Sequence, residues 1–177
     1  MSNAKDHSYQ TIHDTRVPSL GMGTWRLSGE SCAAAVELAL DVGYRHLDTA
    51  RIYGNESEVG AGIKNSGISR EDLFITTKLW TDAFRRDVAL EAGRDSAKKL
   101  GVDYIDLLLM HWPNSDVPVE ETLGAMRELQ DEGVIRNIGV SNFSVGQVEE
   151  AARYAEIFCN QVEYNTETDR SELLDQA

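Results

Sequence analysis

Apolar residues along this chain follow two alternating rhythms. Short runs such as LFITTKLW (73–80) and IDLLLM (105–110) are apolar or β-branched almost throughout. The stretches between them space apolar residues three and four apart, as at Leu123, Met126 and Leu129. The first rhythm belongs to strands covered on both faces, the second to helices with one buried stripe. On this basis strands are predicted over 20–27, 44–50, 72–80, 104–113, 136–143 and 157–165. Helices are predicted over 29–43, 56–67, 85–101, 119–135 and 145–155, with a further one starting at 171–177. Gly43, Gly67 and Gly101 stand where the first three helices should close, and Pro113 where the fourth strand should stop.

Strict alternation of strand and helix predicts a parallel sheet joined by right-handed crossovers. Strand starts recur every ~20–30 residues, the length of a βα unit. The expected fold is therefore α/β, a TIM-type (β/α)8 barrel of which about six βα units are present. With no linker and no low-complexity tract, residues 1–177 are expected to form a single domain.

Composition changes this picture little. Of the 177 residues, 41% are hydrophobic and 27% charged, an ordinary balance for a globular chain. The net charge of −13 argues against nucleic acid as a partner, which would require clustered Lys and Arg. No apolar run approaches the ~18 residues of a membrane span, so no membrane partner is expected. Cys32 and Cys159 are far apart in sequence, which predicts two buried free thiols in a reducing cytoplasm rather than a disulfide. No His/Cys spacing predicts a metal site.

The chemistry gathers at the strand ends. Trp25, Asp48, Lys78 and His111 end the first four strands, Ser141 and Asn142 end the fifth, and Gln161 lies on the sixth. In a parallel barrel those ends converge on the one face where active sites are built. Singly, each has a plainer reading: Asp48 as a turn cap, Lys78 reaching to solvent, Ser141–Asn142 as a helix cap, His111 and Tyr53 as packing. Jointly, a carboxylate, a phenol, an amine and an imidazole on consecutive units make a device. A lysine ammonium near Tyr53 is expected to lower a phenol pKa that is ordinarily about 10, and Asp48 to keep that lysine charged. His111 can then donate to a carbonyl oxygen. With no serine elbow of the G-x-S-x-G type and no activated cysteine, an external hydride donor fits best.

The blocks GMGTW, YRHLDTARIYGNE, ITTKLW, LLLMHWP, GVIRNIGVSNF and NQVEYN, in that order over residues 20–165, resemble the successive signatures of the aldo-keto reductases. The resemblance implies a (β/α)8 barrel that reduces aldehydes and ketones with NADPH, less often NADH. It implies that Tyr53 is the general acid, that Lys78 and Asp48 tune it, and that His111 orients the carbonyl. It implies that Gly23, Thr24, Trp25, Asp48, Ser141, Asn142 and Gln161 contact the cofactor. Trp25, Trp80, His111 and Trp112 would wall a pocket for a small-molecule carbonyl substrate. GMGTW is not a Rossmann fingerprint, because Arg26 stands where the third glycine would be.

Barrels of this kind take about 250 residues. The chain is thus expected to be C-terminally truncated by roughly two βα units, without the loops after strands seven and eight that the family uses for pyrophosphate and adenosine. Two readings follow: a carbonyl reductase, weak or dependent on completion by self-association over open barrel edges, or an inactive remnant serving as a binding or interaction module.

Overall fold

The computed structural model describes residues 8–168 and 171. The described residues begin with an antiparallel hairpin, β1 (Tyr9–Ile12) and β2 (Thr15–Pro18), turned by His13 and Asp14, both at positive φ. Then follow β3 (Gly21–Gly23), α1 (Gly29–Asp41), β4 (His46–Asp48), a one-turn 3-10 helix (Arg51–Tyr53) and α2 (Glu56–Ser66). Next come β5 (Phe74–Leu79), α3 (Arg86–Leu100), β6 (Ile105–Met110), α4 (Val119–Asp131), β7 (Ile135–Ser141), α5 (Val145–Ala151) and β8 (Asn160–Gln161). The last six strands form one parallel sheet in sequence order, β3 to β8. It curls into part of a TIM-type barrel, as expected from the sequence.

The central strands β5 and β6 are buried at every position, which is why both read as runs that are apolar or β-branched almost throughout. Their alternate residues serve two cores. Ile75, Leu79, Leu108 and Met110 face the helices and join the large cluster there. Phe74, Leu107 and Leu109 face inward and meet Phe158 in a smaller interior cluster, against which Ile12 and Val17 of the hairpin pack. The hairpin thus forms the floor of the barrel, a role with no counterpart in the predicted elements.

All six strands are shorter than predicted, three of them markedly. The first ends at Gly23, because the chain turns at Trp25–Arg26, where Arg26 has φ 66. The second covers only Leu47 and its two neighbours. The sixth is reduced to two residues, although the Phe158 N–H already donates to the Ile138 carbonyl at 2.7 Å. The predicted last helix lies outside the described residues except for Ser171. Cys32 is buried and Cys159 only partly so, a correction to the expected pair of buried thiols; both are free. No helix among the described residues is long and apolar enough to cross a membrane.

Candidate active site

The pleat decides which side chains enter the barrel mouth. On β4 and β5, Asp48 and Lys78 fall on the same inward face as His46, Phe74 and Thr76, and parallel pairing sets the two strands in register. Lys78 Nζ donates to Asp48 Oδ1 at 2.5 Å and to the Thr49 carbonyl at 2.9 Å. Lys78 is 2% exposed and Asp48 20%, so the ammonium is the deeper partner. Burial pulls the Lys78 ammonium below the ordinary lysine value, and Asp48 opposes this by charge and by hydrogen bond. Gln161 Nε2 donates to the other carboxylate oxygen of Asp48 at 2.8 Å. The carboxylate is held at both ends.

Tyr53 closes the one-turn helix after β4 and faces this pair, its ring centroid 5.7 Å from Lys78 Nζ. Its ring meets that of His111 edge-on at 5.7 Å between centroids, and Trp80 meets His111 edge-on at 5.2 Å. Burial first, and then the Asp48 carboxylate, hold the Tyr53 phenol above the ordinary tyrosine value. This corrects the expectation that Lys78 lowers it: the ammonium is bonded to Asp48, whose charge offsets its own at the phenol. Burial and then the Lys78 charge push the His111 imidazole down to about 4, with Asp48 partly opposing. His111 is therefore neutral at physiological pH. Its Nδ1 is buried without a hydrogen-bond partner, which leaves Nε2 as the ring nitrogen able to meet a ligand.

Ser141, Asn142 and Gln161 form one connected group. Ser141 Oγ donates to the Gln161 carbonyl at 2.8 Å, and Asn142 Nδ2 donates to the His111 carbonyl and to Ser141 Oγ, both at 3.0 Å. Asn142 sits at φ 63, a left-handed conformation that asparagine tolerates. Asn142 Oδ1 and Gln161 Oε1 have no partner among the described residues, and one Gln161 N–H is uncommitted. Two acceptors and a donor are the complement of a primary carboxamide, so this donor set fits the nicotinamide of the cofactor implied by the family.

The predicted residues do not all stand equally close to that centre. Thr24 is fully buried, and its amide donates to the Asp48 carbonyl at 2.9 Å, so it meets a ligand only through its neighbours. Trp25 and Trp112 are 64% and 47% exposed, available as walls rather than packed as core. The sequence reading missed two contributors. Thr49 supplies a backbone carbonyl to Lys78, a role that no side-chain pattern announces. Asn55, directly before α2, turns its side chain back into the protein, where its only sequence signal is that of a helix cap.

The sequence profile of the Aldo/keto reductase family matches residues 19–176. The chain belongs to this family. The methylglyoxal reductase DkgA of Escherichia coli (strain K12) is 51% identical to it over 130 residues, covering 73% of this chain and 46% of that protein. The crystal structure of an aldo/keto reductase from Brucella melitensis is 41% identical and superposes with a TM-score of 0.89, covering 95% of this chain and 67% of that one. A Bombyx mori aldo-keto reductase, solved in complex with NADP, is 35% identical with a TM-score of 0.87, covering 94% and 61%. The chain spans about half the length of the curated relatives it matches, from 46% to 62%. At these identities and scores the aldo-keto reductase barrel is shared in detail over the described strands.

Proposed function

We propose that this chain carries the catalytic half of an NADPH-dependent carbonyl reductase, acting on small aldehydes and ketones such as methylglyoxal. The supporting observation is the cluster in which Tyr53 and His111 meet edge-on above the buried Lys78–Asp48 pair. A reduced nicotinamide held by Ser141, Asn142 and Gln161 would supply a hydride to the carbonyl carbon. As charge develops on the carbonyl oxygen, the Tyr53 hydroxyl transfers its proton there, and the neutral His111 donates a hydrogen bond to the same oxygen. A phenol held above its ordinary pKa keeps its proton at neutral pH, as a proton donor must. The phenolate left behind takes a proton back from solvent.

Titration with NADPH, followed by quenching of the three tryptophans, tests the cofactor. Tyr53→Phe should abolish methylglyoxal reduction while the quench persists. Unchanged turnover in this variant would refute the assigned acid.

We also propose that the 177-residue chain self-associates. The edges β3 and β8 are not paired with each other among the described residues, and α1 leaves Leu38 and Val42 exposed on its surface. A clean monomer by light scattering at micromolar concentration would overturn this.

A further inference from the structure

Tyr53 has no side-chain hydrogen bond among the described residues. Apart from its edge-on contact with His111, its position is set by its backbone, and the hydrogen bonds there are short-range: Tyr53 N–H to the Ala50 carbonyl at 3.0 Å and Gly54 N–H to the Arg51 carbonyl at 3.1 Å. Such bonds shape the turn without fixing where it sits. Arg51 reaches Asp82 only loosely, at 3.8 Å, and a closer long-range anchor comes two residues after Tyr53. Asn55 is 1% exposed and makes three hydrogen bonds with its side chain. Its Oδ1 accepts from Thr49 Oγ1 at 3.0 Å, and its Nδ2 donates to the carbonyls of Thr24 and Leu27, each at 2.9 Å.

These partners are not arbitrary. Thr49 is the residue whose carbonyl accepts from Lys78 Nζ. Thr24 and Leu27 bracket the turn that presents Trp25, and within that turn Arg26 occupies a left-handed conformation at φ 66, uncommon for a residue with a side chain. One primary amide thus ties together the acid-bearing segment, the carbonyl that seats the lysine, and the exposed turn beside the cleft. The chemistry is selective for asparagine. Two backbone carbonyls require two N–H groups on one atom, and the threonine hydroxyl requires an acceptor beside them. Aspartate presents oxygen to both carbonyls, and serine reaches at most one.

We infer that Asn55 is a positioning residue that locks the Tyr53 segment and the Trp25 turn into one register about the reacting carbonyl. This rests on the reductase reading above and adds a residue to it. A mere folding staple would affect stability alone; a positioning residue affects turnover per folded molecule.

The test uses the full 177-residue chain labelled with 5-fluorotryptophan, the Trp25 resonance being assigned with Trp25→Phe. Asn55→Ser and Asn55→Asp are compared with the parent, and Asn55→Ser carries the test should the aspartate variant fail to fold. The expected result is a shifted or broadened Trp25 resonance with that of Trp112 unmoved. NADPH-dependent methylglyoxal reduction should show at least a tenfold fall in kcat, with KM for the aldehyde within threefold. A parental Trp25 resonance, or a lowered melting temperature with kcat unchanged, overturns the inference. A parent chain without turnover refutes the reductase reading instead, and the fluorine spectrum then decides the clamp by itself.

Discussion

Gln161 and Asp48, 113 positions apart in sequence, are joined by a hydrogen bond of 2.8 Å from Nε2 to Oδ2. It crosses the barrel mouth from β8 to β4, two strands that are not neighbours in the sheet. Because Lys78 occupies the other oxygen, the carboxylate cannot rotate without losing a charged contact. Hydrogen bonds to charged groups contribute about 1.5–3 kcal/mol, less where water can substitute. Gln161→Ala should therefore lower stability in urea by about 1 kcal/mol, and leave the short β8 less protected from hydrogen exchange than β5 and β6. Equal protection of β8 in the variant and the parent would contradict this.

The two ends of the buried ion pair should respond unequally. Asp48→Asn leaves an ammonium that is 2% exposed without its counter-charge, and removing one partner of a buried pair costs about 3–5 kcal/mol. Lys78→Met leaves a carboxylate that is 20% exposed and still bonded by Gln161, so water can share the burden. That substitution should cost less, about 1–2 kcal/mol. Urea midpoints for the two variants decide the order, and a reversed order would show that the lysine is better solvated than its burial implies.

His111 predicts an acid limb. Its folded pKa of about 4 lies below the ordinary value of 6.5. Between these values the unfolded chain binds the proton and the folded one does not, so stability rises with pH across this window. The contribution is complete above about pH 6.5 and is lost as pH falls towards 4, on the order of 1–2 kcal/mol. His111→Gln should flatten that part of the stability profile. A variant with the parental slope between pH 4 and 6.5 would assign the acid sensitivity elsewhere.

Gly139 lies on β7 where a methyl group has no room. An added Cβ would stand 2.6 Å from Leu109 Cδ2 and 2.9 Å from the Cys159 carbonyl. The leucine can shift, but the carbonyl belongs to the chain entering β8. Gly139→Ala should cost about 1–3 kcal/mol and loosen the β7–β8 pairing that seats Gln161. Thermal unfolding, together with amide exchange at Val140 and Asn142, measures both effects.

The barrel and its rim were legible because each depends on a local regularity. Apolar runs gave β5 and β6, spacing gave α3 and α4, and the rule that strand ends converge brought Asp48, Lys78, His111 and Gln161 to one place. The direction of the Tyr53 shift was not legible. It depends on how deeply the ring is buried and on where the Lys78 charge is directed, neither of which sequence spacing expresses. Asn55 was hidden for a similar reason, since a helix-capping asparagine and a three-way clamp have the same one-dimensional appearance. The opening hairpin was overlooked because His13–Asp14 lacks the glycine that marks most two-residue turns, although both residues adopt positive φ.

That hairpin bears on how the molecule is assembled. Ile12 and Val17 rest on an interior cluster that includes Phe158, and the His13 ring lies 6.2 Å from that of Phe158. The hairpin thus rests on residues drawn from far along the chain, Phe74, Leu107 and Leu109 as well as Phe158. Contacts so distant along the chain close slowly, because the intervening loop entropy is lost before they form. Until Phe158 docks, the base of the barrel stays unsealed.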